Sequence, residues 1–288
     1  MNLINTLIAG VSIGAVYSLI AFALILVWRS TRVVNFAQAG QAAFSTYIGL
    51  SIEKALDNFW LALIAAIIAG IVVGAFVEVV IVRFIVKRAT SAATVTVAPV
   101  IAMLGLLGIF QGVMGLIWGG DYQAYPTAFS RDGLTVNGTQ IPFSQNDLFV
   151  LLTVVAAMLI AALIFQKTSL GLAMRAAAFA PEVTRLSGIR VSRIRTLGWA
   201  FAGGAGGLAG VLVAPTTFIA PNSFDLLLVF GFTAAVIGGL DSLIGGVLGG
   251  LALGIGLSVV TGYLGGSYTF MTAFVLLIIV LLIRPQGI

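Results

Sequence analysis

Nine apolar runs, at 4–28, 35–52, 60–82, 92–117, 148–166, 197–215, 225–240, 243–262 and 268–283, take up most of this chain. An α-helix rises about 1.5 Å per residue, so about 20 apolar residues cross about 30 Å of hydrocarbon. Hydrocarbon offers a backbone N–H or C=O no water to bond, so successive runs of this length select an all-α transmembrane helical bundle. Only 8% of the 288 residues are charged and 60% are hydrophobic, whereas a soluble domain carries about 25% charge. The chain is read as a single polytopic domain, 1–288, of about nine spans. The runs at 225–262 offer 38 residues for two crossings, about 57 Å of helix where about 60 Å is wanted. The first of that pair is expected to be short, tilted or broken, and eight spans is the alternative.

Charge sets the orientation. Placing Arg29 and Arg32 inside makes the N-terminus outside and the C-terminus inside, and alternation then puts 12 of the 14 basic residues on the inner side, leaving Lys54 and Arg131 outside. No charged segment precedes the first run, so it is read as a retained span and not a cleaved signal.

Several function classes fall away. The chain has no cysteine and no histidine, which removes thiol nucleophiles, imidazole bases and their metal sites; no metal site is expected. The net charge of +5 is dispersed over inter-helix loops and forms no basic face for nucleic acid. No phosphate-binding Gly-Lys pair occurs, so any ATP used in transport is bound, with its Mg, by another polypeptide. Glu78 is the one ionisable residue well within a run; a snorkelling pair with Arg83 is favoured over a proton relay. Asp225 and Asp241 fall at expected helix starts, where capping is the default. Such poverty of deep charge argues against a proton- or sodium-coupled carrier.

What remains polar or small is patterned. At about 100° per residue, Gln38, Gln41 and Ser45 share one sector of the second run, with Asn35 beside it. Amides in hydrocarbon need partners, so this face either bonds neighbouring helices or lines a solute path; both readings stay open. Of 35 glycines, 17 lie between Gly203 and Gly266. Gly203, Gly207, Gly210, Gly246 and Gly250 belong to small-xxx-small pairs that let helix backbones approach. Pro99 and Pro215, each in a Val-Ala-Pro triplet, mark points where a helix could break.

Two connections stand out. The outer loop, 118–147, carries a hairpin pattern over 134–141 with Asn137-Gly138 at its turn, Pro142 then interrupting and Ser144 to Asp147 capping the next helix. A loop folded back over the protein is favoured there over a lid or docking surface. The inner loop, 167–195, holds six basic residues and one acid. Within it Pro181 suits a first helical position, Glu182 favours the helix N-terminus and Gly188 suits its stop, with the basic Arg185 between them. Val183 and Leu186 share an apolar face, so the helix either lies on anionic lipid or seats in the groove of a soluble subunit.

Gly171-Leu-Ala-Met-Arg-Ala-Ala-Ala, then Pro181-Glu182 and Gly188-Ile189, then Gly203-Gly-Ala-Gly-Gly-Leu-Ala-Gly210, resemble the branched-chain amino acid permease subunits of bacterial ABC importers, of the leucine/isoleucine/valine H type. Asn35-Phe36-Ala37, Val236 to Gly246 and Arg284-Pro285-Gln286-Gly287 are similar to the same family. Two departures stand beside them. Gln38-Ala39 occupies the place where the family usually has His-Gly, and the inner loop lacks the Glu-Ala-Ala spacing of other ABC permeases. The resemblance implies a multi-pass inner-membrane permease, itself not an enzyme, and a heterodimer with a second homologous permease. It also implies two cytoplasmic ATP-binding subunits, a periplasmic substrate-binding protein, and a coupling helix within 178–190. Alternating access driven by ATP would carry branched-chain or other neutral amino acids; a urea or short-amide permease and an ATP-independent carrier or channel are the alternatives.

Overall fold

The computed structural model describes residues 3–88, 92–136, 139–284 and 287. Each of the nine apolar runs is helical. They form α1 (Leu3–Thr31), α2 (Gln38–Leu56), α3 (Phe59–Phe76) continued by a π-helical turn (Val77–Val82) and α4 (Arg83–Arg88), α5 (Ala92–Trp118), α6 (Gln145–Lys167), α9 (Val191–Thr217), α10 (Asp225–Gly238), α11 (Leu243–Tyr263) and α12 (Thr269–Ile283). Two shorter helices, α7 (Ser169–Phe179) and α8 (Pro181–Leu186), lie between α6 and α9.

Among the described residues, seven helices are long and apolar enough to cross a membrane. The two that fall short do so for different reasons. α2 has the length, at about 28 Å, but carries Gln38, Gln41, Ser45, Glu53 and Lys54. α10 is apolar but has 14 residues, about 21 Å.

The chain divides into two compact units. The first comprises Met1–Ile25, Pro126–Met158 and Leu226–Ile288. There the glycine face of α11 lies on α1: a Cβ at Gly250 would strike Ser18, one at Gly254 would strike Gly14, and one at Gly246 would strike Ile25. Lipid is as apolar as leucine, so helices associate here through close dispersion contact and bonds across the gap. Ser18 Oγ lies 2.7 Å from Val247 O, and Ser258 Oγ donates to Thr6 O at 2.8 Å. Tyr17, Phe230 and Phe270 form an aromatic ladder across α1, α10 and α12, with centroids 5.1 and 5.7 Å apart.

The outer hairpin also belongs to the first unit. Strand β1 (Gly133–Val136) pairs antiparallel with β2 (Thr139–Ser144), in the register Leu134 with Ile141 and Val136 with Thr139. The Asn137-Gly138 turn lies outside the described residues. Pro142 does not end the strand as expected. β2 continues to Ser144, and an irregularity between the Leu134–Ile141 and Gly133–Ser144 pairs absorbs the residue that has no N–H. Ser144 and Asp147 then cap α6 reciprocally: Ser144 N–H donates to Asp147 Oδ2 at 2.8 Å, and Asp147 N–H donates to Ser144 Oγ at 3.1 Å.

The second unit comprises Leu26–Tyr125 and Leu159–Asp225. α2 is its centre, packed against α3, α5 and α9. α3 and α9 touch backbone to backbone: a Cβ at Gly70 or Gly203 would strike the other's carbonyl, and one at Gly74 or Gly207 would strike Trp199 O or Ala66 O. The glycines of 203–210 thus pack against the N-terminal half of the chain.

Other expectations need correction here. Pro99 and Pro215 both lie inside continuous helices, so neither marks a break. Asp241 does not cap α11. Ser242 does, its hydroxyl accepting from Gly245 N–H at 2.9 Å. Residues 167–195 are not a loop carrying one short helix. α7 fills the first half, begun by Thr168, whose hydroxyl accepts from Gly171 N–H at 3.2 Å, and α9 starts at Val191.

Candidate functional site

All the candidate polar residues fall in the second unit and meet where α2 faces α9. Asn35, Gln38, Gln41 and Ser45 are buried, each at most 1% exposed. Their amides form a chain with a defined polarity. Gln38 Nε2 donates across the interface to Ala202 O at 3.1 Å. A carbonyl only accepts, so this bond fixes which end of the Gln38 amide faces Asn35. Gln38 Oε1 therefore accepts from Asn35 Nδ2 at 2.9 Å, and the same Nδ2 approaches Gln41 Oε1 at 3.4 Å. One acceptor, Asn35 Oδ1, and one donor, Gln41 Nε2, are left without a protein partner. Ser45 is different: its hydroxyl donates back to Gln41 O at 2.7 Å, four residues earlier in its own helix.

Glycine makes this seam possible. A Cβ at Gly206 would strike Gln38 Nε2, and one at Gly210 would strike Thr46 Oγ1. Gly206, i+4 from Ala202, clears the space through which the Gln38 amide reaches the α9 backbone.

A second polar cluster was only half legible in the chain. Glu78, 1% exposed, pairs with Arg83 at 2.8 Å. In a regular α-helix five residues leave two side chains about 140° apart. The π-turn rewinds the chain so that the backbone N–H of Arg83 bonds Glu78 O, bringing the fifth residue back over the first. Thr196 Oγ1 donates to Glu78 Oε2 at 2.7 Å and accepts from Arg83 Nη2 at 2.9 Å. The cluster thus pins the first turns of α9 to the end of α3. Glu78 and Arg83 are visible as a pair in the chain, but Thr196 falls between the inner loop, 167–195, and the run at 197–215, with no role assigned to it. Its i+4 spacing from Ser192 on an apolar-flanked helix was the available signal.

α8 begins immediately after α7, with Pro181 at its first position and Glu182 in its first turn. It ends in a Schellman motif: Gly188 N–H bonds Arg185 O at 3.0 Å, Ile189 N–H bonds Thr184 O at 3.2 Å, and Gly188 has φ +81°. Thr184 is its one buried side chain. Val183 and Leu186 are 62% and 88% exposed, and Phe179, at the end of α7, is 94% exposed. The Glu182–Arg185 pair, at 3.2 Å and open to solvent, contributes little to stability. The helix therefore presents apolar side chains outward while its polar threonine faces inward, the reverse of an ordinary surface helix. Of the packing glycines, Gly203, Gly207 and Gly210 line the α9 interfaces in this unit, while Gly246 and Gly250 lie in the other. Among the described residues no His, Cys, Asp and Glu cluster could hold a metal.

The seven helices long and apolar enough to cross a membrane indicate a multi-pass membrane protein, with a buried, uncharged amide seam and an outward-facing apolar helix turn. The chain belongs to the family described as branched-chain amino acid transport system / permease component, whose model matches residues 6–283. The high-affinity branched-chain amino acid transport system permease protein BraD of Pseudomonas aeruginosa is 30% identical over 99% of this chain and 95% of its own. The permease protein LivH of Escherichia coli is 27% identical over 97% and 92%. A probable branched-chain amino acid transport permease of Methanocaldococcus jannaschii is 29% identical over 94% and 87%. A solved structure, PsaBC from Streptococcus pneumoniae in complex with Fab, shares the fold at TM-score 0.54, covering 99% of this chain and 93% of that one at 17% identity.

Proposed function

We propose that this chain is the permease subunit of a binding-protein-dependent ABC importer that passes branched-chain or other neutral amino acids across a bacterial inner membrane. In this reading it stands N-out and C-in, and α2 and α10 complete nine crossings. It pairs with a second homologous permease, receives solute from a periplasmic binding protein, and is driven by two cytoplasmic subunits that bind ATP and Mg.

The amide seam carries the reading. It is uncharged, it is sealed in this conformation, and it retains one donor at Gln41 and one acceptor at Asn35. A ligand site that selects by a few convergent polar groups in apolar walls suits a small zwitterion with an apolar side chain. It offers no countercharge to a strongly charged solute, because it contains no ionisable side chain and the buried carboxylate of Glu78 is committed to Arg83 and Thr196. α9 links the parts: Ala202 accepts the cross-seam bond, Thr196 is clamped to α3, and α8 directly precedes it. A push on α8 would act on the helix that closes the seam. The exposed Val183, Leu186 and Phe179 supply the apolar face with which a soluble subunit would push.

The test is reconstituted uptake of leucine, alanine, glutamate and urea with the partner subunits present. Leucine and alanine are expected to enter only with ATP and binding protein; glutamate is not. Val183→Asp or Leu186→Asp should abolish uptake with the chain still inserted, and Gln41→Leu should lower uptake more than the yield of folded protein. Uptake of leucine without ATP, or of urea alone, overturns the reading.

A further inference from the structure

One carboxylate in the second unit lacks a countercharge. Asp225 opens α10, where capping is expected, yet its side chain turns to α5: Gln111 Nε2 donates to Oδ1 and Oδ2 at 3.0 Å each. Among the described residues that amide is its one side-chain partner, and it forms no ion pair. Lys54, the basic residue at the same end of the unit, donates to Gln123 Oε1 at 2.7 Å instead. Asp225 is half-buried, so it is not sealed from a solute.

The neighbours of this pair place it beside the amide seam. Phe110, next to Gln111, packs on α2: its ring lies 5.6 Å from that of Phe44, and a Cβ at Gly40 would meet it at 3.0 Å. Phe224, next to Asp225, is 1% exposed and would be met at 3.0 Å by a Cβ at Gly210. Gly206 faces Gln38 and Gly210 faces Thr46, so Asp225 lies beyond the seam, toward the end of α2 that residues 119–125 cover. There the Gln123 backbone pairs with Ile219 at 2.9 Å in both directions, and Trp118 Nε1 donates to Ser51 Oγ at 2.8 Å.

A carboxylate accepts about four hydrogen bonds, and one amide nitrogen has only two hydrogens to give. An ionised group within a membrane-spanning bundle is costly, and a neutral amide offsets little of that cost. An arriving cation would offset more, through charge-assisted bonds.

We propose that Asp225 is the countercharge for the ammonium group of the solute before it reaches the seam, with Gln111 holding the carboxylate in position. The proposal rests on the amino-acid reading given above and names the group that recognises the positive end of the zwitterion. A solute with a second carboxylate meets a like charge at the same place.

Saturation-transfer NMR on the full-length chain, purified with any subunits that accompany it into phosphatidylcholine nanodiscs, tests this without transport. The probe is 3-methylbutylammonium, which keeps the side chain and ammonium of leucine without its carboxylate; 4-methylpentanoate, which keeps the carboxylate instead, is the control. Wild type should bind the amine and not the acid. Asp225→Asn keeps the shape and the Gln111 contact and should weaken amine binding about tenfold or more. Gln111→Lys preserves a clamp between α5 and α10 but fills the carboxylate with its own cation. It should abolish amine binding, and it decides the question even where Asp225→Asn does not fold. A purely structural contact would leave Gln111→Lys binding the amine like wild type, and that result overturns the proposal. So does equal amine binding by wild type and Asp225→Asn, or equal binding of amine and acid by wild type. If wild type binds the amine at Asp225 yet takes up no leucine with ATP and binding protein, the amino-acid reading falls and the ammonium site stands.

Discussion

Removing Arg83 isolates the most consequential electrostatic contact in the second unit. The Glu78 carboxylate is 1% exposed and accepts from Arg83 at 2.8 Å and Thr196 at 2.7 Å, while the Arg83 side chain remains 30% exposed. Stripping the partner from a buried charge costs about 3–5 kcal/mol. Water reaching the vacated Arg83 position relieves part of that, so Arg83→Ala should cost about 3 kcal/mol. Thr196→Val keeps the shape and removes hydrogen bonds to two charged groups, Glu78 and Arg83, each about 1.5–3 kcal/mol. Glu78→Gln removes the charge itself, so in that background Arg83→Ala should cost no more than about 1 kcal/mol, the range of a solvent-exposed pair. The double-mutant cycle therefore predicts a coupling of about 2 kcal/mol. Unfolding in mixed micelles, followed by tryptophan fluorescence, would measure it, since Trp199 lies three residues from Thr196. Equal costs for Arg83→Ala in both backgrounds would refute the reasoning and reduce the cluster to a surface ion pair.

Two further outcomes follow from the packing and capping. Gly203→Val should abolish folded protein, because its Cβ meets the Gly70 carbonyl, which cannot move as a side chain can; Gly105→Ala, which meets nothing within 4 Å, should be tolerated. Detergent-resistant monomer yield on size-exclusion chromatography distinguishes them. Gly188→Ala should fray α8, since a left-handed residue with a Cβ costs about 1–2 kcal/mol. Hydrogen exchange at residues 188 and 189 should accelerate about 5- to 30-fold, and unchanged exchange would dismiss the Schellman stop.

The chain's own chemistry determined the helices and the ends of α8. An apolar run in hydrocarbon has one way to satisfy its backbone, and Pro181 and Gly188 act through backbone geometry that needs no distant partner. Local patterning also put Gln38, Gln41 and Ser45 on one face and Glu78 near Arg83. Tertiary structure decided the rest, because each remaining feature depends on a second element. Only the Ala202 carbonyl on α9 sets the direction of the amide chain, and only its bonds leave Asn35 Oδ1 and Gln41 Nε2 unspent. Only the π-turn brings Arg83 over Glu78, and only the packing of α9 on α3 delivers Thr196 to them. Hydrophobic periodicity reports which way a residue faces within its own helix; it carries no information about the atom waiting on the neighbouring one.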